Sequence, residues 1–302
     1  MNSKTMERAI PFVGLALLFA FSLAHFAYDV SRLGRPANDL VGAWVSSKVF
    51  IEGKNPYSDI QELRRIWPVL DSSPDCRAGY NCFPAPYYMV YPPSALLLLA
   101  PLTLLPWRAA VSVYLVGSSV LFVAMIVMLA QKLQLPWSNP RKLYMIAFAL
   151  AMAPLHAGIK ESNLNTLIIA LLGVGVIYIA KRPYLSGIAL AIAMCLKPQV
   201  AFLFFAYPWV RRKWTTAFAG LVACAAISAS SLLWMLFHHV EWFRAYLGSL
   251  MNTPLPSGTA WTVQGYFYAP GPGKYLSINL QVLVFQFTHS PRNANILSWT
   301  SF

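Results

Sequence analysis

Apolar residues in this chain gather into long unbroken runs, at 10–28, 94–106, 109–131, 143–157, 164–180, 184–210 and 215–237, with polar residues collected between them. No run alternates apolar with polar positions, so the strands of a membrane barrel are excluded and each run reads as helix. Crossing a hydrocarbon core of ~30 Å takes ~20 apolar residues, and a helix satisfies its own backbone in lipid. The runs at 10–28, 109–131 and 215–237 meet that length. The run at 94–106 opens after Pro92 and Pro93, which suit a helix start. As a helix it reaches only ~20 Å, short for a full crossing. The run at 184–210 is interrupted at Lys197-Pro198-Gln199 and bounded by basic clusters at both ends. It predicts a hairpin of two short helices with Lys197 near its apex. The fold expected is all-α, a polytopic transmembrane helical bundle.

Composition agrees with that pattern: 58% of the 302 residues are hydrophobic and 11% charged, outside the range of soluble domains. A net charge of +13 raises nucleic acid as a partner. The basic residues, however, sit in short clusters between apolar runs, at Arg141/Lys142, Lys181/Arg182 and Arg211/Arg212/Lys213. That is the signature of the positive-inside rule, so the charge reports topology, with membrane lipid as the partner and no nucleic acid.

Lys4 and Arg8 place the N-terminus in the cytoplasm, and without a small-residue cleavage pattern the 10–28 run reads as an uncleaved first helix. Residues 29–91 then form an external loop, 92–237 a transmembrane core with short broken helices, and 238–302 a second external region with an incomplete C-terminal part; the whole is one membrane domain. Lys132, Arg141 and Lys142 outweigh Arg108, which favours a partial rather than a full crossing by 94–106. Within the external loop, Asp39 precedes apolar positions 41, 44, 45 and 49, the single face of an amphipathic juxtamembrane helix that Gly53 ends. Asn55-Pro56-Tyr57 reads as a turn.

Asp39 is the leading candidate for a catalytic base, since a carboxylate at a helix start is held rigidly; capping that helix, worth ~1 kcal/mol, is the simpler local role. Lys197, with Lys160 and Arg35, offers fixed positive charge for a phosphate. A lysine facing the bilayer centre costs ~2.5 to 3.5 kcal/mol, so Lys197 is expected to face a protein-lined cavity. His238, His239 and Glu241 offer metal-ligand chemistry, but adjacent histidines on a helix point apart and an interfacial polar patch fits better. No metal is indicated, a divalent ion is left open, and no cofactor is expected. Cys76 and Cys82 are close enough to form a disulfide in an oxidising compartment, whereas Cys195 and Cys224 lie inside apolar runs. Nucleotide-loop, nucleophile-elbow and zinc-protease patterns do not occur.

Four stretches together carry a family resemblance: NDLVGAWVSSKVFIEGKNPY at 38–57, VYPPSALLLLAPLTLLP at 90–106, GIKESNLNTLIIALL at 158–172, and SGIALAIAMCLKPQVAFLFFAYPWVRRKW at 186–214. In order and spacing they resemble the C-type membrane glycosyltransferases, specifically glycosyltransferase family 87. The third stretch departs from the family's usual G-Q-x-N, since Ile159 and Lys160 follow Gly158, and the polar role there passes to Lys160, Asn163 or Asn165. Members are commonly longer, so a truncated member is also an expectation.

The resemblance implies an inverting hexosyl- or pentosyltransferase. It would move mannose or a pentofuranose from a polyprenyl-phosphate sugar donor to a lipid or glycan acceptor on the extracytoplasmic side of a membrane, a bacterial inner membrane by expectation. It assigns Asp39 as the base, and Lys197 falls at the family's KP position, where its charge and depth suit the donor phosphate. Asn55, Tyr57, Tyr91, Asn163, Asn165 and Gln199 are the expected substrate-binding residues. The alternatives are a transporter or flippase for lipid-linked sugar, which predicts inverted repeats that the chain lacks, and a non-catalytic truncated protein.

Overall fold

The computed structural model describes residues 13–22, 24, 38–58, 60–66, 91–132, 143–144, 146–147, 149 and 162–251; Asn38 and Asp39 are described in their backbone only. Among these residues every regular element is helical: α1 (Val13–Ser22), α2 (Asn38–Ile51), α3 (Ile60–Ile66), α4 (Pro93–Leu99) continued by a 3-10 turn (Ala100–Leu104), α5 (Trp107–Lys132), α6 (Asn165–Tyr178), α7 (Pro183–Leu196), α8 (Pro198–Val210), α9 (Trp214–Phe237) and α10 (Trp242–Met251). The chain divides into two compact units, residues 1–87 with 91–241, and residues 88–90 with 242–302. In the second unit the described element is α10, along which the Trp242 ring meets those of Phe243 and Tyr246 at 5.4 and 6.2 Å. All that follows concerns the first unit.

Helices α5 and α9 are long and apolar enough to cross a membrane. Their neighbours α6, α7 and α8 are only 14, 14 and 13 residues, ~20 Å each. Prolines open α4, α7 and α8 at the first helical position, where a missing N–H costs nothing and φ is already helical. The expected hairpin is present, with α7 and α8 joined at Lys197, whose extended backbone breaks the helix.

Side-chain contacts fix the register of the bundle. The Ser186 hydroxyl bonds the Gly175 carbonyl and the Lys197 ammonium bonds Asn165, so α6 and α7 run antiparallel. Tyr114 bonds the Asn163 carbonyl while Lys132 bonds the Ile177 carbonyl, so α5 runs parallel to α6. Gly187 lies against Thr216 and Gly220, and Cys195 against Cys224, so α7 and α9 run parallel as well. Lys132, Lys181, Arg182, Arg211, Arg212 and Lys213 therefore collect at one end of the bundle, and Lys197 lies at the other. Segment 93–104 begins at the Lys197 end, where Ser94 bonds the Cys195 carbonyl. Helix α5 begins at that same end, so the segment does not cross, in agreement with the weight of the basic residues.

Helix α2 lies against α3, α4 and the 3-10 turn. It ends in a Schellman motif: Lys54 N–H bonds the Val49 carbonyl at 3.1 Å, and Gly53 N–H the Phe50 carbonyl at 3.0 Å, with Gly53 at φ +71°. A Cβ at Gly53 would also fall 2.4 Å from His238 Nδ1, so glycine is required there twice over. Burial of α2 is not confined to the face of residues 41, 44, 45 and 49, because every residue from Leu40 to Ser47 is buried. The small side chains of Ala43, Ser46 and Ser47 let the opposite face pack closely too, so the helix is enclosed rather than amphipathic at the surface. By contrast α8 and α9 leave Leu203, Val210, Val222 and Phe237 largely exposed, as a lipid-facing surface requires.

Candidate active site

The described candidates converge on the junction between α7 and α8. The Lys197 backbone N–H bonds the Ala193 carbonyl at 3.0 Å, and its own carbonyl accepts from the Val200 and Ala201 N–H groups at 3.1 and 3.2 Å. The residue thus closes one helix and caps the next, with φ −152° and ψ 83°. Its ammonium donates to Asn165 Oδ1 at 3.0 Å. Asn163 Oδ1 accepts the Asn165 N–H at 2.9 Å, which satisfies one of the free donors at the start of α6. The Asn163 carbonyl in turn accepts from the Tyr114 hydroxyl at 2.9 Å. Ser162, just upstream, is buried at φ +47°, so the turn into α6 has a defined and strained shape.

The α4 end of the junction is tied in by Ser94, whose hydroxyl donates to the Cys195 carbonyl at 2.9 Å. Tyr91, three residues before Ser94, offers its carbonyl to the Tyr57 hydroxyl at 3.0 Å. The Asn55 side chain holds the turn that presents Tyr57: Oδ1 accepts the Tyr57 N–H at 3.0 Å, and Nδ2 donates to the Glu241 carbonyl at 2.9 Å. Tyr57 and Tyr91 are thereby joined to each other, and Asn55 is engaged by backbone groups. Gln199 is half-buried in the first turn of α8, two residues past Lys197.

Among the described residues, the first turns of α4, α6 and α8, which lie at this end, carry no acidic residue. Helices α6 and α8 both begin at this end, so the positive ends of their dipoles face the same side as the Lys197 ammonium. The arrangement suits an anion.

Asp39 is the second residue of α2. Within that helix Trp44 donates its indole N–H to the Leu102 carbonyl at 3.0 Å and meets the Trp107 ring at 5.6 Å. The middle of α2 therefore lies against the start of α5, and Tyr114 is two turns further along α5, ~10 Å. At its other end α2 is anchored by Trp234, whose indole N–H bonds the Phe50 carbonyl at 2.9 Å. The Asp39 side chain, Arg35, Lys160, Cys76 and Cys82 lie outside the described residues.

Among the described residues, no group of three or more His, Cys, Asp or Glu side chains gathers to hold a metal. His238 packs on Trp234, with ring centroids 4.5 Å apart, while His239 is exposed at φ +54°. The neighbouring histidines are thus divided between a packing role and the surface. A charged cluster lies beyond α2, where Glu62 meets Lys54 Nζ at 2.8 Å and also bonds the Arg65 guanidinium. Hydrogen bonds from Lys54 and then Arg65 hold the Glu62 carboxyl below its ordinary range.

Ser94 and Tyr114 are the members of the junction that the sequence does not single out. Each is one hydroxyl within an apolar run, without a motif of its own.

The glycosyltransferase family 87 model matches residues 88–285 of the chain. The matched stretch takes in Tyr91, Ser94, Tyr114, Asn163, Asn165, Lys197 and Gln199, and begins past Asp39. No curated protein and no solved structure matches the chain. Two thirds of the chain answering to one family model, on a helical bundle with two apolar helices of spanning length, settle the assignment: the chain belongs to glycosyltransferase family 87 and is a membrane glycosyltransferase.

Proposed function

We propose that the protein transfers a sugar, mannose or a pentofuranose, from a polyprenyl-phosphate donor to a hydroxyl of a lipid or glycan acceptor, with inversion at the anomeric carbon. The observation that carries the reading is Lys197, an ammonium held at a helix break where α6 and α8 begin and bonded to Asn165 Oδ1. The donor phosphate sits against that ammonium. Asp39 takes the proton of the acceptor hydroxyl, the acceptor oxygen bonds to the anomeric carbon, and the bond from that carbon to the phosphate oxygen breaks. Polyprenyl phosphate leaves as an anion, so no general acid is needed, and one base with fixed positive charge suffices.

Support for the division of labour comes from α2, whose Trp44 meets the Trp107 end of α5, ~10 Å along that helix from the turn carrying Asn163 and Asn165. A phosphate at Lys197 with its sugar directed toward α2 matches that separation. The six basic residues at the opposite end mark the cytoplasmic side, which puts the Lys197 end extracytoplasmic. Between α5 and α9, the shorter α6, α7 and α8 leave the Lys197 level recessed below the long helices, and a prenyl chain reaches it from the lipid.

The test is transfer in membranes from labelled polyprenyl-phosphate sugars by wild type and Asp39→Asn. Loss of transfer with retained expression supports Asp39 as the base, and unchanged transfer sinks it.

A further inference from the structure

We propose that the two turns at the basic end of the bundle, Lys181-Arg182 between α6 and α7 and Arg211-Arg212-Lys213 between α8 and α9, form one headgroup site for an anionic phospholipid whose acyl chain runs along α9. The site lies at the opposite end of the bundle from Lys197 and does not depend on the role given to that residue.

The sequence supplies the charge. Lys181, Arg182, Arg211, Arg212 and Lys213 are all exposed. From Ser162 to Val240 the chain holds no aspartate or glutamate, so the helices α6 to α9 and the turns between them bring no acid of their own. The ion pairs printed by the described residues are those of Lys54 and Arg65 with Glu52 and Glu62, just beyond α2. At the amino terminus Glu7 stands with Lys4 and Arg8, so that segment brings positive charge on balance.

The fold makes the two turns neighbours. Thr216, buried in the first turn of α9, donates its hydroxyl to the Ile179 carbonyl at 3.2 Å, two residues before Lys181. Because Arg211-Arg212-Lys213 leads straight into that first turn, the two basic turns meet side by side. Both have a fixed shape. The Lys213 N–H bonds the Pro208 carbonyl at 2.8 Å and the Arg212 N–H the Trp209 carbonyl at 3.1 Å, with Arg212 at φ +53°. On the other turn, the Arg182 N–H bonds the Tyr178 carbonyl at 2.9 Å and its guanidinium lies over the Tyr178 ring, 5.5 Å from the centroid. Guanidinium and ammonium groups held together in this way suit a phosphodiester.

The surface beside the cations decides for a lipid over a soluble phosphate. Trp214, Phe218 and Val222 are exposed at four-residue spacing, and so form one apolar stripe leading away from the basic turns along α9. Trp209, from α8, meets the rings of Trp214 and Phe218 at 5.9 and 5.3 Å. Aromatic rings at the level of the headgroups, with cations on one side and an apolar stripe on the other, match a molecule with an anionic end and a long apolar tail.

The experiment is native mass spectrometry of the whole chain in detergent, titrated with phosphatidylglycerol or with phosphatidylcholine of the same acyl chains. Wild type is expected to bind phosphatidylglycerol the more tightly, and equal affinities overturn the proposal. Lys181→Gln/Arg182→Gln and Arg211→Gln/Lys213→Gln are each expected to weaken phosphatidylglycerol about 25-fold, at about fivefold per cation, with phosphatidylcholine unchanged. Unchanged phosphatidylglycerol affinity in either pair overturns the two-turn site. Arg108→Gln, which removes an exposed cation at the Lys197 end, is expected to leave both lipids as in wild type; a matching loss there shows diffuse attraction and overturns the site. Thr216→Val keeps every charge and parts the turns, and is expected to weaken phosphatidylglycerol about fivefold, the scale of one hydrogen bond. Full affinity in that variant overturns the shared headgroup site. An excess of glycerol 3-phosphate is expected not to displace phosphatidylglycerol; displacement shows a site for a soluble anion and overturns the lipid as occupant.

Discussion

The Ser94 hydroxyl donates to the Cys195 carbonyl at 2.9 Å, within the buried contact between α4 and the last turn of α7. That carbonyl is among those at a helix end with no partner inside the helix, and in an apolar surrounding it is costly to leave unmade. One hydroxyl thereby secures the short segment 93–104 to the helix that ends at Lys197. Ser94→Ala is expected to lower stability by about 1 to 2 kcal/mol, visible as a reduced melting temperature in detergent. A variant that melts like wild type would mean the bond contributes nothing.

Gly187 and Gly117 make opposite predictions for the same substitution. A Cβ on Gly187 would come 2.6 Å from the Thr216 carbonyl oxygen and 2.7 Å from the Gly220 nitrogen, both backbone atoms of α9 that cannot turn aside. Gly187→Ala must force α7 and α9 apart, at a cost of about 1 to 3 kcal/mol. Around Gly117 on α5 there is nothing within 4 Å, so Gly117→Ala meets open space and gains up to ~1 kcal/mol of helix propensity. Thermal melting of the two variants side by side checks the contrast, and equal behaviour would refute the close packing of α7 on α9.

Those contacts also show which parts of the molecule the sequence could disclose. The hairpin around Lys197 was legible because Pro198 cannot continue α7 and because the basic clusters fix both outer ends on one side. The helix start at Pro93 was legible because a proline is tolerated at the first helical position. Asn165 and Lys197 were each visible as polar residues near an apolar run, but their bond joins positions 32 apart in sequence and exists only through the antiparallel packing of α6 and α7. The enclosure of α2 was hidden because Ala43, Ser46 and Ser47 do not register as core in an apolar pattern, and yet their smallness is what admits neighbours on every side. Tyr114 had no local signal, since its partner is a backbone carbonyl on another helix.

Glu62 supplies a prediction in pH. Its carboxyl titrates below its ordinary value of 4.5 because Lys54, and after it Arg65, hydrogen-bond the charged form. A folded-state value below the unfolded one means the stabilisation is fully present above 4.5 and is lost as pH falls through the lowered folded value. Wild type is therefore expected to melt slightly above Glu62→Gln at neutral pH, with the two curves converging in acid. The carboxylate is half-buried but its partners Lys54 and Arg65 are open to solvent, so the difference is expected to shrink in high salt. A difference independent of both pH and salt would show that the ion pairs are not its source.

Cys195 and Cys224 provide a direct chemical check on the register of α7 against α9. Their sulfurs lie 3.6 Å apart, and both thiols are free. A disulfide needs about 2.05 Å, so a small closure of the helix pair brings them into bonding range. In a Cys76→Ser/Cys82→Ser background, these two are the remaining cysteines of the four in the chain. Copper-phenanthroline takes up the two electrons and the two thiols release two protons, leaving one intramolecular bond between α7 and α9. Maleimide labelling under denaturing conditions is then expected to find both thiols blocked after oxidation and both free after reduction. Were α7 and α9 antiparallel, with Gly187 still against Gly220, Cys195 would fall level with Arg212, just before α9 and more than three turns from Cys224, and no bond would form. Persistent labelling of both cysteines after oxidation would therefore count against the parallel arrangement that places Lys197 opposite the basic end.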